Sequence, residues 1–367
     1  MAKPILILAC DGGGMRGLIT SLLLQDLESK TSFLTNVDVF AGTSTGSFIA
    51  LGLASGKVQP ADLVALYEKD GQSIFAPYTP PSGQASPALR QAMARSGAGP
   101  EALSWNPCNW VSGFCNAMYM NDPSSPLYTT LSTLFNGSGP ALTLADLPKQ
   151  AVVTTNMLWS EAQQSWFPAL LGNLPNMQNT SMPVVDAALS SGAAPIYFPP
   201  FWNATLNTYC ADGGTFANNP ASVAVTAALQ AGVITPADLP NVYLLSLNTG
   251  VVRNGMTPDY INTQVQGPQN MGILDWFLSL SPGTVPSEAL ISLIFDTVSS
   301  IDTIQMQALL GGNFVRPQGP VLTAPYALDD WADYQTLVNA TNAYISGDAS
   351  QPGDWSSVVS WVKSTFT

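Results

Sequence analysis

The chain has 367 residues, 46% hydrophobic and only 10% charged, so it can bury a sizeable core and is not disordered. Its 11 Lys and Arg against 24 Asp and Glu give a formal charge of −13, which argues against a nucleic-acid partner and against electrostatic capture by anionic membranes. It contains no histidine, which excludes every triad with an imidazole base, His-ligated metals and His proton shuttles.

The length suits one large α/β domain or two ordinary ones. No run of eighteen or more apolar residues suggests a membrane span. The apolar stretch Pro4–Cys10 resembles a signal h-region in length, but it runs straight into Asp11-Gly12-Gly13-Gly14. A cytoplasmic location is therefore expected, with leaderless export left open. Cys10, Cys108, Cys115 and Cys210 have neither the density of a disulfide scaffold nor zinc-site spacing.

Residues 4–10 are predicted to form a buried strand, and a helix is expected from Leu18 to about Lys30. Between them Asp11-Gly12-Gly13-Gly14-Met15-Arg16-Gly17 leaves backbone N–H groups free to converge on an anion. Two readings compete for this loop. Gly12-x-Gly14-x-x-Gly17 matches the dinucleotide fingerprint, with Asp38 about twenty residues on. Against it, Asp11 would repel a pyrophosphate, and Asp38 sits early in its strand. The other reading, an oxyanion hole for an intermediate formed nearby, is favoured.

The next strand is expected over Asn36–Ala41, followed by Gly42-Thr43-Ser44-Thr45-Gly46 and a helix from Ser47 to Ala54 closed near Gly56. A G-x-S-x-G sequence between strand and helix is the pattern of a nucleophilic serine on a sharp turn, where neighbouring backbone excludes any Cβ on the glycines. An ordinary Gly-rich turn is the bland alternative. Without histidine, the base for such a serine must be a carboxylate or a lysine.

A helix follows over 57–75. Residues 76–125 are rich in Pro, Gly, Ser and Asn, and are read either as irregular cover or as a mobile lid. Within them, 100–121 carries Trp105, Trp110, Phe114, Met118, Tyr119 and Met120 with the single charge Glu101. That segment is expected to border the Ser44 cleft and touch aggregated lipid. A helix is predicted over Leu127–Phe135, a strand over Gln150–Leu158 and a small-residue helix over Asp186–Pro195. Asp212 ends a short strand before Gly213-Gly214, which suits either a sheet-edge carboxylate or an Asx-turn. A helix over 221–233 and a buried strand over Val242–Leu247 come next. Amphipathic helical patterns occupy 272–311 and 327–362, with Trp331, Tyr334, Val338 and Ile345 assigned to one face and Trp355, Val358, Val359 and Val362 to another.

Three ordered motifs, Asp11-Gly12-Gly13-Gly14-Met15-Arg16-Gly17, Gly42-Thr43-Ser44-Thr45-Gly46 and Asp212-Gly213-Gly214, resemble those of the patatin-like phospholipase family. Residues Ala188–Pro199, Ala217–Pro220 and Leu245–Gly250 resemble it too, so the likeness covers roughly residues 5–250 and, more weakly, extends to Phe314-Val315-Arg316. The resemblance implies a three-layer α/β/α sandwich with a mainly parallel central sheet, made of a catalytic domain over 1–320 and a helical extension over 321–367. It also implies cleavage of lipid acyl esters by a Ser–Asp dyad. Ser44 would be the nucleophile, Asp212 the base, and Gly12, Gly13, Gly14, Met15 and Arg16 the oxyanion site, with no cofactor or metal. The expected partner is a lipid or other acyl ester, met transiently at a membrane or micelle surface. The alternatives are a catalytically silent lipid-binding or storage protein of the same fold and a dinucleotide-binding oxidoreductase.

Overall fold

Strand β1 (Ile5–Cys10) is apolar at every position and lies at the centre of the sheet, which is why its sequence shows no polar alternation. The computed structural model describes residues 4–77, 117–253, 255–272, 275–276, 289–323 and 326–367. β1 pairs in parallel with β2 (Val39–Gly42), which in turn pairs in parallel with β3 (Gln150–Ser160). β4 (Ser165–Gly172) runs antiparallel along β3, and β5 (Phe201–Asn203) and β6 (Thr208–Asp212) form a further antiparallel pair. On the other side of β1 stand β7 (Val242–Leu247) and a short β9 (Phe314–Val315), both parallel to it; β8 (Val251–Val252) and β10 (Val321–Leu322) pair separately. The order β5-β6-β3-β2-β1-β7-β9, with β4 on β3, makes a mostly parallel sheet.

Alternate residues of the central strands feed two cores. Leu6, Leu8, Phe40, Val153 and Leu245 face one layer, and Ile7, Ala9, Val39, Val152 and Leu244 face the other. The first layer holds α1 (Gly17–Thr31), α2 (Thr45–Ala54), α3 (Pro60–Ile74), α4 (Pro126–Asn136) and α5 (Val184–Ser191). After the short α6 (Gly214–Ala217), α7 (Ala221–Gln230) and α8 (Ala289–Leu310) cover the second. The terminal helices α9 (Tyr334–Ser346) and α10 (Trp355–Thr365) return to the first layer. The result is the three-layer α/β/α sandwich expected from the sequence.

Several details differ from expectation. β2 starts at Val39, because Phe33–Asn36 forms a 3-10 turn before it. On α9 the deepest residues are Leu337, Thr341 and Tyr344; Tyr334, Val338 and Ile345 are partly buried, and Trp331 precedes the helix and is 36% exposed. Trp105, Trp110 and Phe114 lie outside the described residues. Tyr119 is described and packs edge-on against Phe75, with ring centroids 5.2 Å apart. Among the described residues, one helical stretch, Ala289–Asn313, is long and apolar enough by length and composition to cross a membrane. Here Phe295, Met306 and Leu310 of that stretch pack inward on the protein.

Candidate active site

The sharpest local geometry is the turn from β2 into α2. Ser44 caps α2 at φ 53°, ψ −127°, a left-handed conformation that L side chains seldom adopt. A tight hydrogen-bond lattice holds it there. The Gly46 N–H donates to the Thr43 carbonyl at 2.7 Å, and the Ser44 N–H donates to Ser191 Oγ at 2.9 Å. Thr43 Oγ1 donates to the Ala217 carbonyl at 2.6 Å and lies 2.7 Å from Thr154 Oγ1. The Thr45 and Tyr67 hydroxyls share a further hydrogen bond. A Cβ on Gly46 would overlap the Cys10 carbonyl oxygen, and one on Gly42 would overlap the Gly46 carbonyl oxygen. Glycine is therefore required by close approach of backbone on either side of the serine.

Asp212 ends β6 and reaches the same sheet edge, because Thr155 of β3 is its register partner. Its side chain is fully buried. Oδ1 accepts the Gly214 N–H at 2.7 Å, while Oδ2 has no hydrogen-bond partner of ordinary geometry. Burial raises the carboxyl to about 7; the adjacent Ser44 hydroxyl and the Gly214 amide pull it part of the way back. A carboxylate at the Asx-turn expected from Asp-Gly composition thus sits beside the serine of the strained turn.

The glycine loop runs from the end of β1 across this pair. The Gly12 N–H donates to the Asn218 carbonyl (3.0 Å), Met15 to the Leu328 carbonyl (2.7 Å) and Arg16 to the Gly13 carbonyl (3.1 Å). Among the described residues, the N–H groups of Gly13 and Gly14 have no such acceptor. Gly13, Gly14, Ser44 and Thr45 line one apolar pocket with Phe48, Phe75, Phe198, Phe295 and Leu328. Its free volume is ≈ 30 Å³, room for about two water molecules.

One residue outside the expected site set holds the loop from behind. Arg316, just after β9, grips Asp11 bidentately: Nη1 donates to Oδ1 at 2.9 Å and Nη2 to Oδ2. Nη1 also donates to Ser246 Oγ at 2.7 Å. Burial pushes the Asp11 carboxyl up from its usual range, and Arg316 opposes that rise. The expected repulsion of an anion by Asp11 is therefore largely cancelled. Asp38 lies at the start of β2, far along the strand from the loop, with Oδ2 accepting the Leu6 N–H at 3.0 Å. That position leaves the dinucleotide fingerprint without its ribose ligand. No group of three or more Cys, Asp or Glu able to hold a metal occurs among the described residues.

An α/β/α sandwich with a strained serine turn at the carboxyl edge of parallel strands, beside a Gly-rich loop, defines the broad class. The sequence model of the patatin-like phospholipase family matches residues 8–225, more than half of the chain, and the chain belongs to that family. It is similar to a cGAMP-activated phospholipase of Escherichia coli, 27% identical over 60% of this chain and 55% of that protein. It is also similar to Patatin-like protein 2 of Arabidopsis thaliana, 27% identical over 91% of this chain and 80% of that protein. Among solved structures, VipD from Legionella pneumophila aligns with 94% of this chain and 67% of its own at 13% identity and a TM-score of 0.36. The chain spans about half the length of the bacterial phospholipases it matches.

Proposed function

We propose that this protein is a lipid acyl hydrolase that cleaves carboxylic esters with Ser44 as nucleophile and Asp212 as general base. The observation that carries the reading is the meeting of three features at one sheet edge. These are the strained Ser44, the buried Asp212 whose carboxyl the Ser44 hydroxyl adjoins, and the free amides of Gly13 and Gly14. Ser44 Oγ attacks the ester carbonyl and its proton passes to Asp212 Oδ2. The carbonyl oxygen becomes an oxyanion facing the Gly13 and Gly14 N–H groups, each such donor contributing roughly 2.7–4 kcal/mol. Collapse expels the alcohol, which takes the proton from Asp212. Water, deprotonated by the same carboxylate, then attacks the acyl carbon and frees Ser44. A carboxyl near 7 suits this role better than one near 4, because proton transfer is most effective when the base titrates close to working pH.

Of the wider glycine-loop set, Gly12, Met15 and Arg16 act through the loop's shape, since their own N–H groups are engaged within the fold. The lipid preference rests on family membership and on the apolar pocket beside Ser44. A panel of p-nitrophenyl esters and phospholipids, assayed with EDTA present, tests the reading. Wild type is expected to release acid from both kinds of substrate and Ser44→Ala from neither. Ester hydrolysis undiminished in Ser44→Ala would overturn it.

A further inference from the structure

The turn that ends α5 bonds the backbone of both reacting residues. Ser191 Oγ accepts the Ser44 N–H at 2.9 Å, and the Ala193 carbonyl accepts the Asp212 N–H at 2.9 Å. The turn itself is pinned. The Gly192 N–H donates to the Ala188 carbonyl and the Ala194 N–H to the Gly192 carbonyl, each at 2.9 Å. A Cβ on Gly192 would lie 3.0 Å from Phe48 Cζ, so the turn rests directly on α2. Gly192 and Ala194 also wall the apolar pocket that Ser44 lines, so turn, nucleophile and pocket are contiguous.

The Ser44 amide needs the acceptor it finds there. Thr43 still bonds the neighbouring strand, its N–H donating to the Cys10 carbonyl at 3.3 Å. Ser44 caps α2, and the N–H of a capping residue has no partner inside its helix. At φ 53° it has left the strand ladder as well, so this buried N–H depends on Ser191. A buried donor without an acceptor is costly, and rotation of Ser44 toward an ordinary φ would relieve both that cost and the strain. The same rotation swings Cβ and Oγ away from Asp212. The neighbouring Ser190 is equally buried but faces elsewhere: its Oγ donates to the Asp186 carbonyl at 2.7 Å and accepts from Asn203 Nδ2 at 2.8 Å.

We infer that Ser191 is a positioning residue for ester hydrolysis: its Oγ holds the Ser44 amide in the strained conformation that aims the nucleophile at Asp212, while the Ala193 carbonyl of the same turn anchors the base. β2 and β6 do not pair with each other. The turn is therefore a direct link between the backbones of the two residues, besides their common neighbour β3. The inference rests on the acyl-hydrolase reading and adds a supporting residue to its machinery.

The test measures p-nitrophenyl butyrate kinetics, the rate of fluorophosphonate labelling at Ser44 and the melting temperature in Ser191→Ala, Ser191→Cys and Ser190→Ala. Ser191→Ala should lower kcat and the labelling rate together by about tenfold to a hundredfold, the effect of leaving one buried donor unmet. KM should stay within about twofold of wild type, since the ester never touches Ser191. The limb of activity near pH 7 should not move, because the change acts on the nucleophile and leaves the surroundings of Asp212 intact. Ser191→Cys matches serine in size and keeps a weak acceptor, so its kcat should fall between wild type and Ser191→Ala, and it carries the test if the alanine variant does not fold. Ser190→Ala should lower the melting temperature while kcat stays within about twofold of wild type. Unchanged kcat in both Ser191 variants, a loss matched by Ser190→Ala, or a rise in KM alone would each overturn the inference. Any of these results with Ser44-dependent hydrolysis intact in wild type leaves the acyl-hydrolase reading standing; a wild type without that hydrolysis removes the reading itself.

Discussion

At the scale of single residues, the role proposed for Asp212 is measurable through its environment. Because burial raises its carboxyl to about 7, the ascending limb of kcat/KM against pH should fall near 7, well above the usual carboxylate value near 4. Asp212→Asn keeps an oxygen to accept the Gly214 N–H but cannot take a proton. It should cost at least about a hundredfold in kcat and abolish that limb. Near-normal kcat in this variant would make Asp212 a turn former only. Gly46→Ala is expected to remove activity as well, since the added methyl meets the Cys10 carbonyl oxygen and forces the Ser44 turn to open. A Gly46→Ala protein with full activity would show that the turn tolerates movement.

At the scale of elements, the two turns that build the site were legible in the sequence because each is local. Three glycines between strand and helix, and a serine between two glycines, declare themselves within seven residues. The partners that hold those turns are distant. Arg316 meets Asp11 across 305 positions of sequence, and Leu328 meets Met15 across the loop, so neither contact leaves a local signature. β4 escaped the sequence reading for another reason. Pro168 interrupts it and its first four residues are exposed, as only an edge strand allows. The α9 face was read one residue out of phase, because Trp331 was counted with a helix that begins at Tyr334. The Asp11–Arg316 pair is a direct test of long-range support. Arg316→Leu leaves Asp11 buried and uncompensated, and should lower stability by about 3–5 kcal/mol in chemical denaturation. Adding Asp11→Asn should restore much of that loss. No loss in the single variant would mean solvent reaches the carboxylate.

At the scale of the whole molecule, the buried acids give stability and activity opposite pH dependences. Asp212 is raised to about 7, and Asp186 and Asp302 to about 6, each by burial. Between about pH 4 and 7 the folded state therefore binds more protons than the unfolded chain, so stability must fall as pH rises through that window. Asp146, Asp238, Asp348 and Asp354 shift the opposite way, but they are exposed and act at lower pH. The net charge of −13 adds self-repulsion in the same direction as the buried acids. The melting temperature should decline from pH 5 to pH 8 while activity rises, and Asp212→Asn should flatten the decline. A melting temperature that climbs over this range would contradict the buried acids. The two-core sheet itself was largely readable, because β1 is apolar on both faces and β7 nearly so, with Ser246 its one small polar residue, as suits central strands.

The most direct test of the central claim is covalent. A fluorophosphonate probe should add once to the wild-type protein, and the adduct should map by peptide mass spectrometry to Ser44. Ser44→Ala should take up no label, and Asp212→Asn should label slowly at the same residue. A stoichiometric adduct on any other residue, or labelling that persists in Ser44→Ala, would contradict the account.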